Sequence, residues 1–146
     1  MIFDVKIKKL CEKAIVPTYG SACAAGADLY ACLDSSAEIA PGETVFVHTG
    51  IAAEIPEGYA GLVFARSGLA SKKDLAPANK VGVVDSDYRG EIMVAIHNHG
   101  NQSRTVEHGE RIAQLLIMPF VSANFILCDE LSDTERGAGG FGSTGK

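Results

Sequence analysis

Between residues 2 and 7 apolar side chains alternate with charged ones, the two-residue period of a half-buried strand. Similar short stretches rich in β-branched and apolar residues predict strands at 44–48, 50–55, 61–65, 80–84, 91–98 and 114–118, with 123–128 closing the series. Turn chemistry separates them: Ala40-Pro41-Gly42-Glu43, Ile55-Pro56-Glu57-Gly58, Asp85-Ser86-Asp87 and His99-Gly100-Asn101. Two apolar runs, 81–84 and 92–96, flank the polar stretch Asp85–Glu91 and predict a hairpin with Asp85 at a strand end and Tyr88 on the return. One segment reads as helix, 67–73 (SGLASKK), with Ser67 as its N-cap. Strands this short and this closely spaced predict an all-β sandwich, barrel or jelly roll with one short helix.

Length and composition narrow the picture without changing it. At 146 residues the chain suits one domain, and 47% hydrophobic content excludes a disordered chain. No apolar run approaches the ~20 residues a membrane helix needs. With 13 Lys and Arg against 18 Asp and Glu, the net charge of −5 argues against a backbone-driven nucleic-acid binder. The cysteines, Cys11, Cys23, Cys32 and Cys128, show neither a CxxC pair nor close Cys/His zinc spacing, which predicts free thiols in a reducing compartment. The opening MIFDVKIKKL is too charged for a secretory leader, so the expected location is cytoplasmic.

The end of the chain differs in kind. Residues 136–146 are glycine-rich, with Phe141 as the main apolar side chain, and predict a flexible tail following a domain at 1–135. The stretch from Gly140 to Lys146 fits the first part of a phosphate-loop pattern, but the required Ser or Thr and helix do not follow, so that reading fails. A strap carrying Arg136, Phe141, Ser143 and Thr144 suits an anionic aromatic ligand; a frayed terminus is the plainer alternative.

Other candidate chemistry is scattered. Strand edges near Asp85 offer backbone donors and acceptors to a pyrimidine imide, with a carboxylate placed to accept a proton; a solvated acidic turn is the competing reading. Arg66, Ser67 and Gly68 bring a guanidinium, a hydroxyl and a helix start together, all suited to phosphate oxygens, or else form an ordinary capped helix. Asp28 enters an apolar strand, where a carboxylate needs a partner or cation, and Gln114 stands among apolar residues, where an amide needs partners. His97 and His99 share one face of a strand without an evident third ligand, so a surface or edge pair is the stronger reading.

Together, AGADLYA (25–31), RSGLA (66–70), GVVDSDYRGE (82–91), RIAQL (111–115) and RGAGGFGSTG (136–145) resemble the five motifs of the trimeric deoxyuridine triphosphatase (dUTPase) family, once each and in order. Ala65 precedes Arg66 where Gly or Pro is usual, and Val84 replaces a common Ile. The resemblance implies a jelly-roll-like subunit in a homotrimer, with sites shared between chains. It also implies Mg²⁺-dependent conversion of dUTP to dUMP and pyrophosphate by water attack on the α-phosphorus. That activity keeps uracil out of DNA and supplies dUMP for thymidylate synthesis.

Carried onto this chain, Asp85 resembles the residue that activates the water and meets the 3′-hydroxyl. Tyr88 would pack on deoxyribose, and the backbone around Val83, Val84 and Met93 would read uracil. Asn79 matches a substrate-contacting Asn. Arg66, Ser67 and Gly68 would hold the α- and β-phosphates from a second chain, and Gln114 phosphate or the catalytic water. Asp28 would hold Mg²⁺ through water. The tail would bring Phe141 over uracil, with Arg136 and Ser143 or Thr144 on the γ-phosphate and Gly142 nearby. Neither nucleic acid nor membrane is an expected partner. Two rivals share the scaffold: a dCTP deaminase, which needs a Glu base and releases ammonia, and a non-catalytic nucleotide sensor.

Overall fold

The computed structural model describes residues 3–140. Its first half consists of β1 (Lys6–Lys9), β2 (Thr18–Tyr19), β3 (Ala27–Tyr30), β4 (Ala37–Ile39), β5 (Thr44–His48), β6 (Ile51–Glu54) and β7 (Tyr59–Phe64). Helix α1 (Ser67–Lys73) follows, then β8 (Leu75–Pro77), β9 (Val81–Val84), β10 (Met93–Asn98), β11 (Arg104–Val106) and β12 (Arg111–Pro119). The architecture is all-β with one short helix, as the strand spacing predicts. Every pairing among the described residues is antiparallel.

The largest sheet runs β2-β3-β12-β7-β9, a second runs β5-β10-β8, and β1-β6 and β4-β11 form two-stranded ladders. Their inward faces meet in one core containing Leu29, Ile39, Val47, Ile51, Ile55, Leu75, Val94, Ile96, Val106, Ile112 and Leu115. Alternation is clear in β10, where Val94, Ile96 and Asn98 are buried and Met93 is exposed. Asn98 is the polar member of that row, and it is fully satisfied. Its Nδ2 donates to the carbonyls of Ile39 (2.9 Å) and Gln102 (2.8 Å), and its Oδ1 accepts from the Gly100 N–H at 2.9 Å. Among the described residues no helix is long and apolar enough to cross a membrane.

Three local expectations need correction. The stretch 81–96 is not a hairpin: β9 pairs with β7 and β10 pairs with β5 and β8, so residues 85–92 carry the chain between two sheets. Arg66, not Ser67, is the N-cap of α1, with extended φ −87 and ψ 129 and no side-chain cap bond. Residues 123–128 form no strand, because among the described residues no other strand lies beside them to complete a ladder. Their apolar side chains are left outside, with Phe125 94% and Leu127 99% exposed.

Candidate functional site

The crossing at 85–92 opens a cavity instead of closing a ladder. It measures about 250 Å³, and Asn79, Val83, Asp85, Tyr88, Met93 and Phe46 contribute to its walls. Among the described residues β9 pairs only with β7, and Met93 and Val94 pair only with β5, so each strand keeps one edge without a strand partner beside the cavity. Backbone N–H and C=O groups there are free to meet a planar ligand with its own donors and acceptors. Val84 is buried, whereas Val83 and Met93 are exposed toward this space. The Asn79 amide lies against Gly82, where a Cβ would come within 3.3 Å of its Nδ2.

Asp85 follows β9 directly and stands exposed at the cavity wall. The loop beyond it is tied to itself. The Tyr88 N–H donates to the Asp85 carbonyl at 3.2 Å, and Arg89 Nη1 donates to the carbonyls of Ser86 (2.6 Å) and Tyr88 (3.0 Å). Tyr88 folds back over Gly90 and donates its hydroxyl to the Glu91 carbonyl at 2.9 Å. Glu91 is anchored in turn: Oε1 accepts from the Gly50 N–H at 2.7 Å, and Oε2 lies 2.9 Å from His48 Nδ1. A chain of contacts therefore sets the aromatic wall. The sequence gives Gly90 and Glu91 as part of a motif but no hint of these duties, and Phe46 enters the wall from a distant strand.

A second constellation forms on the large sheet. Gln114 is the register partner of both Asp28 on β3 and Phe64 on β7, which puts their side chains in one row. Arg66 lies two residues beyond Phe64. Its Nε donates to Asp28 Oδ1 at 2.8 Å, and Arg111 Nη1 donates to Oδ2 at 3.3 Å. A register shift between Arg111 and Ala113 accompanies the turn of Arg111 toward the carboxylate. Asp28 thus has the partners its burial requires, its side chain being 5% exposed. Gln114 is half-buried, and its Cβ would lie 3.1 Å from a Cβ placed on Gly26.

Arg66, Gly68, Lys72, Lys73, Glu110 and Arg111 border a separate basic cavity of about 280 Å³, with Ser67 exposed beside it. No residue is common to this cavity and the one holding Asp85. Within one chain, the apolar, edge-lined pocket and the basic pocket remain apart. Arg136 is exposed in a turn of its own, donating from Nε to the Gly139 carbonyl at 2.8 Å. Phe141, Gly142, Ser143 and Thr144 lie outside the described residues.

No cluster of three or more His, Cys, Asp and Glu suited to a metal ion occurs among the described residues. Both oxygens of Asp28 are taken by guanidinium groups, so direct ligation of an ion by the protein alone does not fit. An ion held mainly by a ligand's phosphates, touching Asp28 through water, does fit this donor set. The His97 and His99 rings pack edge to face with centroids 4.4 Å apart. Burial, then Lys80 and His97, holds the His99 imidazole below its ordinary value.

The family model described as dUTPase matches residues 12–145. A deoxyuridine 5′-triphosphate nucleotidohydrolase of Desulfitobacterium hafniense is 53% identical over 131 residues, covering 89% of this chain and 87% of that protein. One from Serratia proteamaculans is 47% identical over 146 residues, covering 98% and 96%. Among solved structures, the Staphylococcus bacteriophage 80alpha dUTPase with dUPNHPP superposes with a TM-score of 0.91 at 30% identity, covering 98% of this chain and 99% of the other.

Proposed function

The chain belongs to the dUTPase family of enzymes, and from that premise we propose that it hydrolyses dUTP to dUMP and pyrophosphate, as a homotrimer using Mg²⁺. The observation that carries this reading is the cavity between the unpaired edges of β9 and β10, with Asp85 at its wall. Uracil presents an imide N–H between two carbonyls, and strand edges supply the complementary acceptor and donors. A cavity of about 250 Å³ suits a nucleoside, and in this reading the phosphates extend beyond it.

The basic cavity at Arg66 answers that need, but from another subunit. Its separation from the base pocket within one chain supports a site built between chains, with Arg66, Ser67 and Gly68 holding the α- and β-phosphates. Residues after β12 point the same way. Val121, Phe125, Ile126, Leu127 and Leu131 are 93%, 94%, 78%, 99% and 87% exposed, an apolar stretch that calls for a partner surface.

In this mechanism the backbone around Val83, Val84 and Met93 and the amide of Asn79 hold the uracil ring. Tyr88 packs on the deoxyribose, leaving no room for a 2′-hydroxyl. Asp85 accepts a hydrogen bond from the 3′-hydroxyl and draws a proton from the water that attacks the α-phosphorus. Arg66 stabilises the charge that gathers on the phosphate oxygens, and Asp28 fixes its guanidinium plane. Gln114 orients phosphate or that water. Asp28 would hold a Mg²⁺ ion through water, and the ion would supply charge neutralisation to the phosphates. Residues 136–146 form a lid following the domain at 1–135. In it Phe141 covers uracil, Arg136 and Ser143 or Thr144 hold the γ-phosphate, and Gly142 allows close approach. A cytoplasmic location, with its nucleotide pool, belongs to the same reading.

The test is a pyrophosphate-release assay with dUTP, dCTP, dTTP and UTP, run on the wild type and Asp85→Asn. Release from dUTP alone, lost in Asp85→Asn, is the expected result. Release from all four would reject the uracil filter. Tight dUTP binding without turnover would make the chain a sensor, and ammonia from dCTP a deaminase.

A further inference from the structure

Cys11 and Cys32 lie 21 residues apart in sequence and their sulfurs are 2.7 Å apart. This is a built contact. The N–H of Leu10, next to Cys11, donates to the Gly50 carbonyl at 2.8 Å, and the N–H of Cys32 donates to the His48 carbonyl at 2.7 Å. Both cysteine-bearing segments are thereby pinned to the same three-residue stretch. Gly50 lies beneath the pair with φ +68, and a Cβ there would come within 2.8 Å of Cys32 Sγ and 2.9 Å of Cys11 Sγ. A surface cavity of about 350 Å³, lined by both cysteines with Lys13, His48 and Glu91, gives a small molecule access. Cys23 and Cys128 are exposed free thiols without such a partner among the described residues.

We propose that Cys11 and Cys32 form a reversible oxidative modification site, a dithiol that a peroxide converts to an intramolecular disulfide. Bonding requires the sulfurs to close from 2.7 Å to about 2.0 Å, a movement within the reach of side-chain rotation. Burial first, then the hydrogen bond with Cys11, pushes the Cys32 thiol up to about 11. One sulfur of the pair reacts first, as its thiolate. It takes one oxygen of the peroxide, the O–O bond breaks, and the departing hydroxide is protonated to water. The second sulfur, 2.7 Å away, then attacks the resulting sulfenic sulfur. The S–S bond forms as hydroxide leaves and combines with the second thiol's proton. Two thiols and one peroxide give one disulfide and two waters.

Full-length reduced protein is treated with one equivalent of hydrogen peroxide, alkylated and mapped by mass spectrometry without reductant. The expected result is a loss of two hydrogens per chain, a crosslinked pair of peptides containing Cys11 and Cys32, and full reversal by dithiothreitol. Cys23→Ser should oxidise like the wild type, and Cys11→Ser should retain both hydrogens. The wild-type peptide map decides the matter even if a variant folds poorly. Cys11 and Cys32 both recovered as alkylated thiols, or crosslinks that run instead to Cys23 or Cys128, would overturn the proposal.

Discussion

Arg66 Nε sits 2.8 Å from Asp28 Oδ1, joining the residue before the helix to a buried carboxylate on β3. The pair explains why a charge tolerates this position: Asp28 is 4% exposed, and Arg111 holds its other oxygen. Asp28→Asn keeps the shape but removes the charge facing two guanidinium groups. Since Arg111 can turn toward solvent, the expected cost is about 2 kcal/mol, below the usual range for a broken buried pair. Loss of a fixed Arg66 should lower kcat/KM for dUTP about 100-fold. Chemical denaturation and steady-state kinetics check both, and a variant with wild-type kinetics would remove Asp28 from phosphate positioning.

Gly90 makes room for the ring of Tyr88, since a Cβ there would stand 2.6 Å from its Cζ. Gly90→Ala must push the ring away and break its 2.9 Å bond to the Glu91 carbonyl. The expected outcome is a preference for dUTP over UTP reduced about 10-fold, because the wall against the 2′-hydroxyl has moved. Comparison of kcat/KM for the two nucleotides tests this. An unchanged ratio would mean that Tyr88 does not set sugar selectivity.

Much of this was legible in the sequence, for reasons that differ by element. β5 falls at 44–48 and α1 at 67–73 as predicted, because alternation and helix composition are local signals. Short β4, β8 and β11 escaped, being three residues each and defined by their partners rather than by pattern. The 81–96 hairpin failed because periodicity reports which face is buried and not which strand lies alongside. The need of Asp28 for a partner was readable from its apolar neighbours, but Arg111 as second partner depended on a register shift no local pattern announces. Phe46 reached the pocket wall only through the sheet topology.

Cys32 makes stability depend on alkaline pH. Its thiol is raised from 9.0 to about 11 in the folded protein, so the folded state binds its proton more tightly than the unfolded chain does. The stabilisation is complete below 9.0 and is lost as pH rises through about 11. Thermal melting under reductant should fall across that window in the wild type and fall less steeply in Cys32→Ala. Parallel curves for the two proteins would show that other groups control the alkaline limb.

The stretch after β12 divides by chemistry into an exposed apolar part and a glycine-rich end. Val121, Phe125, Ile126, Leu127 and Leu131 are all more than three-quarters exposed, and burying five such side chains is worth about 10 kcal/mol as an upper figure. Arg136 and the residues beyond it carry charge, glycine and one aromatic, suited to closing over a nucleotide rather than to holding subunits together. Truncation after Glu135 should therefore leave a trimer by light scattering while lowering kcat at least about 100-fold. Truncation after Phe120 should give monomers and no measurable turnover, since a site shared between chains, as proposed, needs Arg66 to meet a neighbour's Asp85 cavity. A trimer that survives loss of 121–146 would move the interface to the sheets. Full turnover after loss of 136–146 would instead leave Asp85 and Arg66 to close the site without a lid.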